Sequence, residues 1–216
     1  LFGSLAGAAG VEGITNGVHG RTWVEPMLQA LYDRDLGPGW ENGEPEAWAN
    51  ADRLDRESFD QIRGASRAHL IDLVYGLTGT QLDPGACILG FARRFATYKR
   101  ASLLLHDPDG LKASLAAGAQ FVFAGKAHPA DGEGKAVLAE VARFARQHGG
   151  NQIVIVPDYD IDIARAMYAG VDVWLNNPIR PHEACGTSGE KAALNGVLNC
   201  SIADGWWADW YTEGIG

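Results

Sequence analysis

Residues 87–100 have the sequence Cys-Ile-Leu-Gly-Phe-Ala-Arg-Arg-Phe-Ala-Thr-Tyr-Lys-Arg, an apolar run followed directly by basic side chains. The apolar part, 87–91, is predicted to be a strand without a polar face, as in a parallel sheet covered on both sides. Four basic residues within the eight positions 93–100 are compatible with a solvated surface or with an anion pocket. Their position immediately after a buried strand favours the pocket.

The same alternation continues to the end of the chain. We predict strands at 87–91, 120–124, 152–156, 172–175 and 197–202, and helices at 99–105, 135–147, 161–168 and 188–194. Apolar strands separated by helices are typical of a parallel sheet with helices on both faces. The sequence therefore predicts an α/β fold of the doubly wound, Rossmann-like kind, with its ligand crevice beyond the carboxyl ends of the strands.

The residues before the sheet form a different region. We predict that 1–85 is a lead-in segment and that 86–216 is a Rossmann-like cofactor- and phosphate-binding domain, incomplete at its end. The first 24 residues are Gly-rich and are predicted to be irregular. Helices are predicted at 26–33, 45–50 and 55–77, the longest of them from its apolar residues at helical spacing. Because the first residue is not Met, we expect the sequence to start within a longer protein.

Composition excludes several classes of protein. The chain has 216 residues, 46% hydrophobic and 21% charged, as in a globular protein. A net charge of -9 without a long Lys/Arg cluster argues against a nucleic-acid partner. No apolar stretch is long enough to cross a membrane, and the apolar start lacks the basic region of a signal peptide. Three cysteines without a Cys-x-x-Cys pair are typical of reduced thiols in a cytoplasmic protein, not of a disulfide framework or a metal site.

Polar clusters follow each of the first four predicted strands. They are Arg93, Arg94, Lys99 and Arg100, then Lys126, His128 and Asp131, then Asp158, Tyr159 and Asp160, and finally Asn176, Asn177 and Arg180. Since the carboxyl ends of parallel strands lie at one edge of the sheet, we expect all four clusters to converge on one crevice. The first strand is not followed by Gly-x-Gly-x-x-Gly, so a dinucleotide site is not indicated.

Residues 183–200 carry the most informative run, Glu-Ala-Cys-Gly-Thr-Ser-Gly-Glu-Lys-Ala-Ala-Leu-Asn-Gly-Val-Leu-Asn-Cys. The order of loop, helix start and strand is typical of anion sites, because N–H groups at a helix N-terminus point at the ligand and glycines let it approach. Lys191 is suited to bind phosphate as a point charge or to attack a carbonyl cofactor as an amine. A plain turn followed by a solvated lysine has the same residue types, so the spacing alone leaves both interpretations open.

Together these motifs resemble the α-glucan phosphorylases, the family of glycogen, starch and maltodextrin phosphorylases, in its shorter bacterial branch. The resemblance extends from about residue 13 to the end of the chain. The matching motifs are 15–23 (TNGVHGRTW), 93–100 (RRFATYKR), 123–129 (FAGKAHP), 158–160 (DYD), 171–178 (VDVWLNNP), 183–200 and 204–207 (DGWW).

The resemblance implies one lobe of a two-lobed GT-B glycosyltransferase fold. It implies phosphorolysis of terminal α-1,4-linked glucose from glycogen or maltodextrin by inorganic phosphate, giving α-glucose 1-phosphate with retention. The implied cofactor is pyridoxal 5'-phosphate, held by Lys191 as a Schiff base, with the cofactor phosphate as proton donor or relay. The implied partners are α-glucan and phosphate, and a homo-oligomer is one option for the full-length enzyme. Because the cleft needs both lobes, we expect this chain alone to be inactive.

The resemblance also assigns roles to individual residues. The residues assigned to catalysis are Lys191, Arg94, Lys99 and Thr187. The residues assigned to the cofactor are Lys191, Trp23, Tyr159, Arg93 and Lys99. The residues assigned to substrate are Asn16, Glu183, Cys185, Gly186, Thr187 and Arg94, and no metal ligand is assigned.

Three positions depart from the pattern that the resemblance leads us to expect. Cys185 stands where the family commonly has Ser, and a contact through the backbone would survive this change. Glu190 stands where Met is common, directly before Lys191, and the sequence offers no account of it. Asp160 replaces the Arg of the animal branch.

Two other functions remain open at this point. The first is a nucleotide-sugar glucosyltransferase such as glycogen or starch synthase, but there a second carboxylate is expected at the position of Lys191. The second is a non-catalytic carbohydrate-binding lobe. Trp206, Trp207 and Trp210 are equally compatible with stacking on sugar and with core packing, so no role is assigned to them.

Overall fold

The computed structural model describes residues 15–148 and 150–215, and a five-stranded parallel sheet forms its centre. The strands are β1 (Ile88–Ala92), β2 (Gln120–Ala124), β3 (Ile153–Val156), β4 (Val173–Asn176) and β5 (Leu198–Ser201). They lie in the order β3-β2-β1-β4-β5, and each neighbouring pair is parallel. The predicted Rossmann-like α/β fold is confirmed. The order reverses between β1 and β4, which is where such a sheet opens a crevice for ligands.

Helices precede the sheet and connect its strands. They are α1 (Gly20–Trp23), α2 (Pro26–Asp35), α3 (Pro45–Trp48), α4 (Arg56–Thr78), α5 (Pro108–Ala116), α6 (Gly132–His148), α7 (Ile161–Gly170), α8 (Thr187–Leu194) and α9 (Trp206–Trp210). Short 3₁₀ turns lie at Trp40–Asn42, Ala51–Arg53, Thr97–Lys99 and Leu103–His106.

The strands bury both faces, because successive side chains point to opposite sides of the sheet. In β2, Phe121 and Phe123 enter one apolar cluster, which α5 and α6 cover. Val122 and Ala124 enter the other, which α4, α7 and α8 cover. Two covered faces explain why these strands are apolar along their whole length.

Helix α4 ties the lead-in segment to the sheet. Leu70 and Val74 of α4 are fully buried in the same cluster as β1 and α7. The N-terminal half of α4 supports a third cluster around Trp40, to which Phe59 and Ile62 contribute. The proposed division of the chain at residue 85 stays a prediction.

The helix predicted at 99–105 is wrong. Arg100 adopts a left-handed conformation with φ 47°, which interrupts a helix at its second residue. The chain forms two 3₁₀ turns there, and the crossover helix α5 starts later, at Pro108. The Asp107 side chain accepts a hydrogen bond from Gly110 N at 3.0 Å, and proline at the first helical position suits this cap.

The other sequence predictions agree with the structure to different extents. Each predicted strand is confirmed, with ends displaced by at most one residue. The lead-in was predicted to be irregular through residue 24, yet α1 forms one helical turn there, and residues 1–14 lie outside the described residues. Helix α9 was not predicted. Within the described ranges, no helix is long and apolar enough to cross a membrane. The three cysteines carry no disulfide bond.

Gly170 permits the close approach of α7 to α4. A Cβ atom at this position would lie 2.5 Å from Leu70 Cβ and 2.9 Å from Ser66 O. We expect Gly170→Ala to lower the free energy of unfolding by about 1–3 kcal/mol, the usual cost of overpacking. The measurement is urea denaturation followed by circular dichroism.

The matched control is Gly76→Ala. Gly76 is exposed on α4, and a Cβ atom there would meet nothing within 4 Å. This change should leave stability unchanged or raise it by about 0.5–1 kcal/mol, because alanine favours helix more than glycine does. Equal effects of the two substitutions would show that helix propensity, not helix contact, governs Gly170.

Candidate active site

A cavity of about 370 Å³ lies where the sheet order reverses, between the loops that follow β1 and β4. Most of the predicted site residues line it, namely Asn16, Arg93, Arg94, Lys99, Tyr159, Glu183, Cys185, Gly186 and Thr187. Trp23 and Lys191 do not line the cavity, but both lie against Tyr168, which does. The structure therefore brings the loop after β1 next to the loop after β4, and Arg93 and Glu183 of these loops are 90 residues apart in sequence.

The expectation that all four polar clusters converge is wrong. Tyr159 is the one residue of the cluster after β3 that lines the cavity. The predicted clusters after β2 and after β4 contribute none of their residues to it, namely Lys126, His128, Asp131, Asn176, Asn177 and Arg180. After β4, the Asn176 side chain contacts Arg93 instead of the cavity. For the clusters after β2 and β3 the reason is the sheet order. Strands β2 and β3 lie beyond β1 on the side away from β4, so their ends are farther from the crevice.

Glu183 joins the two sides of the cavity through a buried ion cluster. Its Oε2 accepts hydrogen bonds from Arg93 Nη2 and from Lys99 Nζ, the latter at 3.0 Å. Arg93 also donates to Asn176 Oδ1 at the end of β4. The three charged side chains belong to residues that are 6%, 7% and 9% exposed for Arg93, Lys99 and Glu183. Two cations against one carboxylate leave a surplus positive charge in the cluster.

The carboxyl group of Glu183 is ionised because of its partners. Burial by itself would raise its pKa, but the charges and hydrogen bonds of Arg93 and Lys99 outweigh burial and lower that pKa. Glu183 therefore acts first as the counter-ion of these two cations. Its contact with sugar hydroxyls stays a prediction.

Arg94 and the start of α8 add further positive potential. Among the described residues, the exposed Arg94 guanidinium forms no salt bridge, unlike that of its neighbour Arg93. Gly186 forms the N-cap of α8 with φ 88°, and Thr187 is the first residue of the helix. The N–H groups at a helix N-terminus carry about half a positive charge. The cavity is thus suited to bind an anion although the chain as a whole is acidic.

The amine of Lys191 lies on aromatic rings at the edge of the cavity. Its Nζ is 3.7 Å from the centre of the Trp23 ring and 5.6 Å from that of Tyr168. The two rings meet edge to face at 5.6 Å. Burial lowers the pKa of Lys191, and the negative charge of Glu190 works in the opposite direction. A lowered pKa increases the neutral, nucleophilic fraction of the amine.

Asn195 holds Trp23 in place over this lysine. The residue is fully buried at the end of α8. Its Nδ2 donates to Trp23 O and to Lys191 O, both at 2.8 Å, and its Oδ1 accepts from Glu25 N at 2.8 Å. One amide therefore connects the lead-in segment to the helix that carries the lysine.

The sequence of the chain matches a known protein family. The sequence profile of the family described as Carbohydrate phosphorylase matches residues 7–209. This chain belongs to the carbohydrate phosphorylase family. The resemblance inferred from the sequence motifs is thereby confirmed.

Several phosphorylases are similar to the chain. It is 43% identical to a glycogen phosphorylase of Mycobacterium tuberculosis (strain H37Rv), with 93% of this chain and 26% of the relative covered. It is 43% identical to a maltodextrin phosphorylase of Thermococcus litoralis, with 93% and 26% covered. It is 39% identical to a glycogen phosphorylase of Aquifex aeolicus, with 93% and 32% covered. The chain therefore spans about a quarter to a third of the length of these relatives.

Two unusual residues of this phosphorylase-family chain contact each other. Cys185 Sγ lies 3.1 Å from Glu190 Oε1 and 3.3 Å from Asn16 O. Burial, together with Glu190, raises the pKa of Cys185 to about 12, so the thiol keeps its hydrogen. Burial also raises the pKa of Glu190. Glu190, unexplained by sequence, thus connects the first turn of α8 to the loop before it.

The turn after β5 braces the same loop. Asp204 Oδ2 accepts from Glu183 N at 3.0 Å, and Trp206 N donates to Cys185 O at 2.9 Å. Gly205 adopts φ 57°, and a Cβ atom there would collide with Cys185 O. The Asp-Gly-Trp motif of the phosphorylase resemblance therefore supports the loop from behind.

Sequence reasoning did not assign Asn195, Asp204 or Tyr168 to the site. Asn195 precedes a glycine at the end of a helix, a pattern typical of a simple turn. Its hydrogen bond to Trp23 spans 172 residues of sequence, and no local pattern indicates such a partner. Asp204 belongs to the DGWW motif at 204–207, and this motif was the available signal that Asp204 has a role.

We expect Asn195→Ala to destabilise the protein by about 2–4 kcal/mol, because buried partners lose their hydrogen bonds. Urea denaturation measures the change. Asn50→Ala is the matched control, since within the described residues the Asn50 side chain makes one hydrogen bond, an exposed one to Glu46 O. The control should change stability by less than about 0.5 kcal/mol. If Asn195→Ala behaves like the control, the amide does not hold the two segments together.

The pKa of Lys191 should depend on Glu190. Glu190→Gln removes the negative charge that raises this pKa, so the pKa should fall further below its ordinary value. The neutral amine then becomes available at lower pH. We expect the midpoint of the pH profile for acetylation of Lys191 by acetic anhydride, followed by peptide mass spectrometry before any cofactor is added, to move to lower pH.

Glu133→Gln is the control for this experiment, because Glu133 is an exposed carboxylate on α6. It should leave the Lys191 profile unchanged. A shift of the Glu190→Gln profile to higher pH, or no shift, would contradict the assigned electrostatic contact.

Proposed function

We propose that the full-length protein is an α-glucan phosphorylase. It removes terminal α-1,4-linked glucose from glycogen or maltodextrin with inorganic phosphate and forms α-glucose 1-phosphate with retention. The observation that carries this proposal is the position of Lys191. Its amine lies on Trp23 beside a cavity with surplus positive charge, which suits a lysine-bound cofactor next to a phosphate.

The residues present fit pyridoxal 5'-phosphate. Lys191 supplies an amine of lowered pKa, and the rings of Trp23, Tyr159 and Tyr168 form an apolar wall near it. Burial raises the pKa of Tyr159, so its hydroxyl group remains a hydrogen-bond donor. When bound, this cofactor supplies a phosphate group that donates or relays a proton to the reacting phosphate. We assign Lys191, Trp23, Tyr159, Arg93 and Lys99 to holding it.

Charge balance supports the assignment of Arg94. Two phosphate groups that lie close together repel each other strongly in a site of low dielectric constant. Within the buried ion cluster, Glu183 neutralises one of the two positive charges of Arg93 and Lys99. Arg94 has no such partner in the described residues, so it is the side chain with its full charge available to substrate phosphate. Fixed cations of this kind stabilise charge in the transition state.

The loop before α8 is suited to hold the sugar and its phosphate. Thr187 and the amides near Cys185 and Gly186 line the cavity beside Glu183. We propose that these groups bind phosphate oxygen and sugar hydroxyls, with Asn16 as a further glucose contact. Asp204 and Glu190 accept hydrogen bonds from the loop and Trp206 N donates one to it, so the loop is held before substrate arrives and the cost of ordering it is reduced.

The setting of this reaction is also a proposal. We propose that the chain is part of the C-terminal lobe of a GT-B fold and that it does not turn over glucan by itself. The cavity is open on one side, and an open site leaves the reacting group accessible to water. We also propose that the full-length enzyme is cytoplasmic and forms a homo-oligomer.

Replacement of Lys191 tests the function. In the full-length protein we expect Lys191→Ala to lower the release of glucose 1-phosphate from maltodextrin and phosphate by about a hundredfold or more, because a positioned proton donor contributes that much. Wild-type protein treated with pyridoxal phosphate and borohydride should carry the added mass on Lys191. Lys112→Ala, an exposed lysine on α5, is the control and should keep full activity.

Two results would contradict the proposal. One is undiminished phosphorolysis by Lys191→Ala. The other is transfer of glucose from a nucleotide sugar without any dependence on phosphate, which would identify a glucosyltransferase.

A further inference from the structure

Arg100 differs from the other basic residues of the segment 93–100. Arg93, Arg94 and Lys99 line the cavity, whereas Arg100 does not. Its guanidinium reaches the loop after β4 instead, where Nε donates to Asn177 O at 2.8 Å and Nη2 donates to Pro178 O at 2.9 Å. The residue is half-buried there. Arg100 therefore joins the same two loops that the buried ion cluster joins, but at a different place.

Two further hydrogen bonds strengthen this contact. Asn177 Nδ2 donates back to Arg100 O at 2.8 Å, and Ile179 N donates to Tyr98 O at 2.7 Å. Four hydrogen bonds thus join residues 98–100 to residues 177–179, and we call this contact the loop clamp. Because three of the four involve Arg100, the clamp depends chiefly on this residue.

The backbone of Arg100 explains how two successive basic side chains serve different purposes. Arg100 has φ 47° and ψ 49°, a left-handed conformation that residues with long side chains rarely adopt. Lys99, directly before this turn, reaches Glu183 at 3.0 Å in the cavity, while Arg100 reaches Asn177 outside it. Unfavourable backbone conformations of this kind persist where the surrounding structure holds them, and they concentrate at functional sites.

We propose that Arg100 is a positioning residue of the active site. Its guanidinium fixes the loop after β4 against the loop after β1, and it thereby sets the positions of Lys99 and Glu183 without contacting substrate. This inference rests on the proposed function, because that reaction needs groups from both loops at the same time.

The chemistry of the clamp favours arginine. The planar guanidinium has several N–H donors in a fixed arrangement, so it binds two neighbouring carbonyl groups at once, whereas a lysine amine donates from a single point. The groups assigned to phosphate lie on both sides of the cavity, with Arg94 after β1 and Thr187 after β4. Reaction rates fall steeply when such groups are displaced by about an ångström. Loss of the clamp should therefore affect the rate more than the binding of phosphate.

Substitution of Arg100 in the full-length protein tests this role. Arg100→Gly removes the guanidinium and keeps the turn, because glycine adopts the left-handed conformation readily. Arg100→Lys keeps a positive charge but loses the two-carbonyl contact. For both variants we expect kcat for phosphorolysis of maltodextrin to fall about ten- to a hundredfold, while KM for phosphate changes by less than about threefold.

Arg63→Lys is the matched control. Arg63 is also half-buried and also donates to two backbone carbonyl groups, those of Ala169 and Val171, before β4 begins. Its replacement should lower the stability to urea but keep kcat within about twofold of wild type, because the contact lies away from the cavity. An equal loss of kcat in Arg63→Lys and Arg100→Lys would show that Arg100 contributes stability alone, and this would overturn the inference.

The kinetic constants separate positioning from substrate contact. Unchanged kcat in both Arg100 variants overturns the inference. A large rise in KM for phosphate with kcat unchanged overturns it as well, since Arg100 would then bind substrate directly.

Acetylation of Lys99 provides a readout that does not depend on the reaction. In wild-type protein without cofactor or substrate, the Lys99 amine is buried against Glu183 and should react slowly with acetic anhydride. Without the clamp the two loops should open more often, so we expect Lys99 in Arg100→Gly to react at least about threefold faster by peptide mass spectrometry. Lys112, exposed on α5, should react equally in both proteins.

The two readouts distinguish this inference from the proposed function. Unchanged acetylation of Lys99 in Arg100→Gly would overturn the inference, and phosphorolysis by the wild type would still support the function. A wild type that releases no glucose 1-phosphate would refute the function, while faster acetylation of Lys99 would still support the positioning of this side chain by Arg100.

Discussion

The buried ion cluster of Arg93, Lys99 and Glu183 is the interaction on which the site depends. The cations follow β1 and the carboxylate follows β4, so the cluster spans the point where the sheet order reverses. Removal of Glu183 would leave two cations buried without compensation, which costs several kcal/mol. The two loops are therefore held together before any ligand arrives. This constraint also places Arg94 and the start of α8 around one cavity.

Helix α8 has eight residues and contributes to the walls of two different cavities. Its first turn faces a cavity with excess positive charge, while Glu190, Ala193 and Leu194 face an acidic cavity lined by tryptophans. Glu190 connects the two environments, because its carboxylate lines the second cavity and contacts the Cys185 thiol of the first.

The strands were predictable because their apolar runs depend on burial on both faces, a property visible in each short segment. The helix predicted at 99–105 is replaced by two 3₁₀ turns. The left-handed Arg100 ends any helix there, and the Asp-Pro pair at 107–108 starts α5 instead. Most of the predicted site residues line one cavity, because the loops after β1 and β4 meet where the sheet order reverses. The clusters after β2, β3 and β4 were expected there as well, yet Tyr159 is the one residue of these three clusters that lines the cavity. The ends of β2 and β3 lie away from the crevice, and the Asn176 side chain contacts Arg93 instead.

The sequence by itself determined the α/β class, the strands, the family and the candidate lysine, because these depend on local patterns and ordered motifs. Only the tertiary structure decided the partners of those residues. Asn195 reaches Trp23 across 172 positions, and Arg93 reaches Glu183 across 90. The tryptophans near the end of the chain meet Trp40 in one cavity for the same reason. Such contacts follow from how helices pack on a sheet, and no segment carries that information within its own sequence.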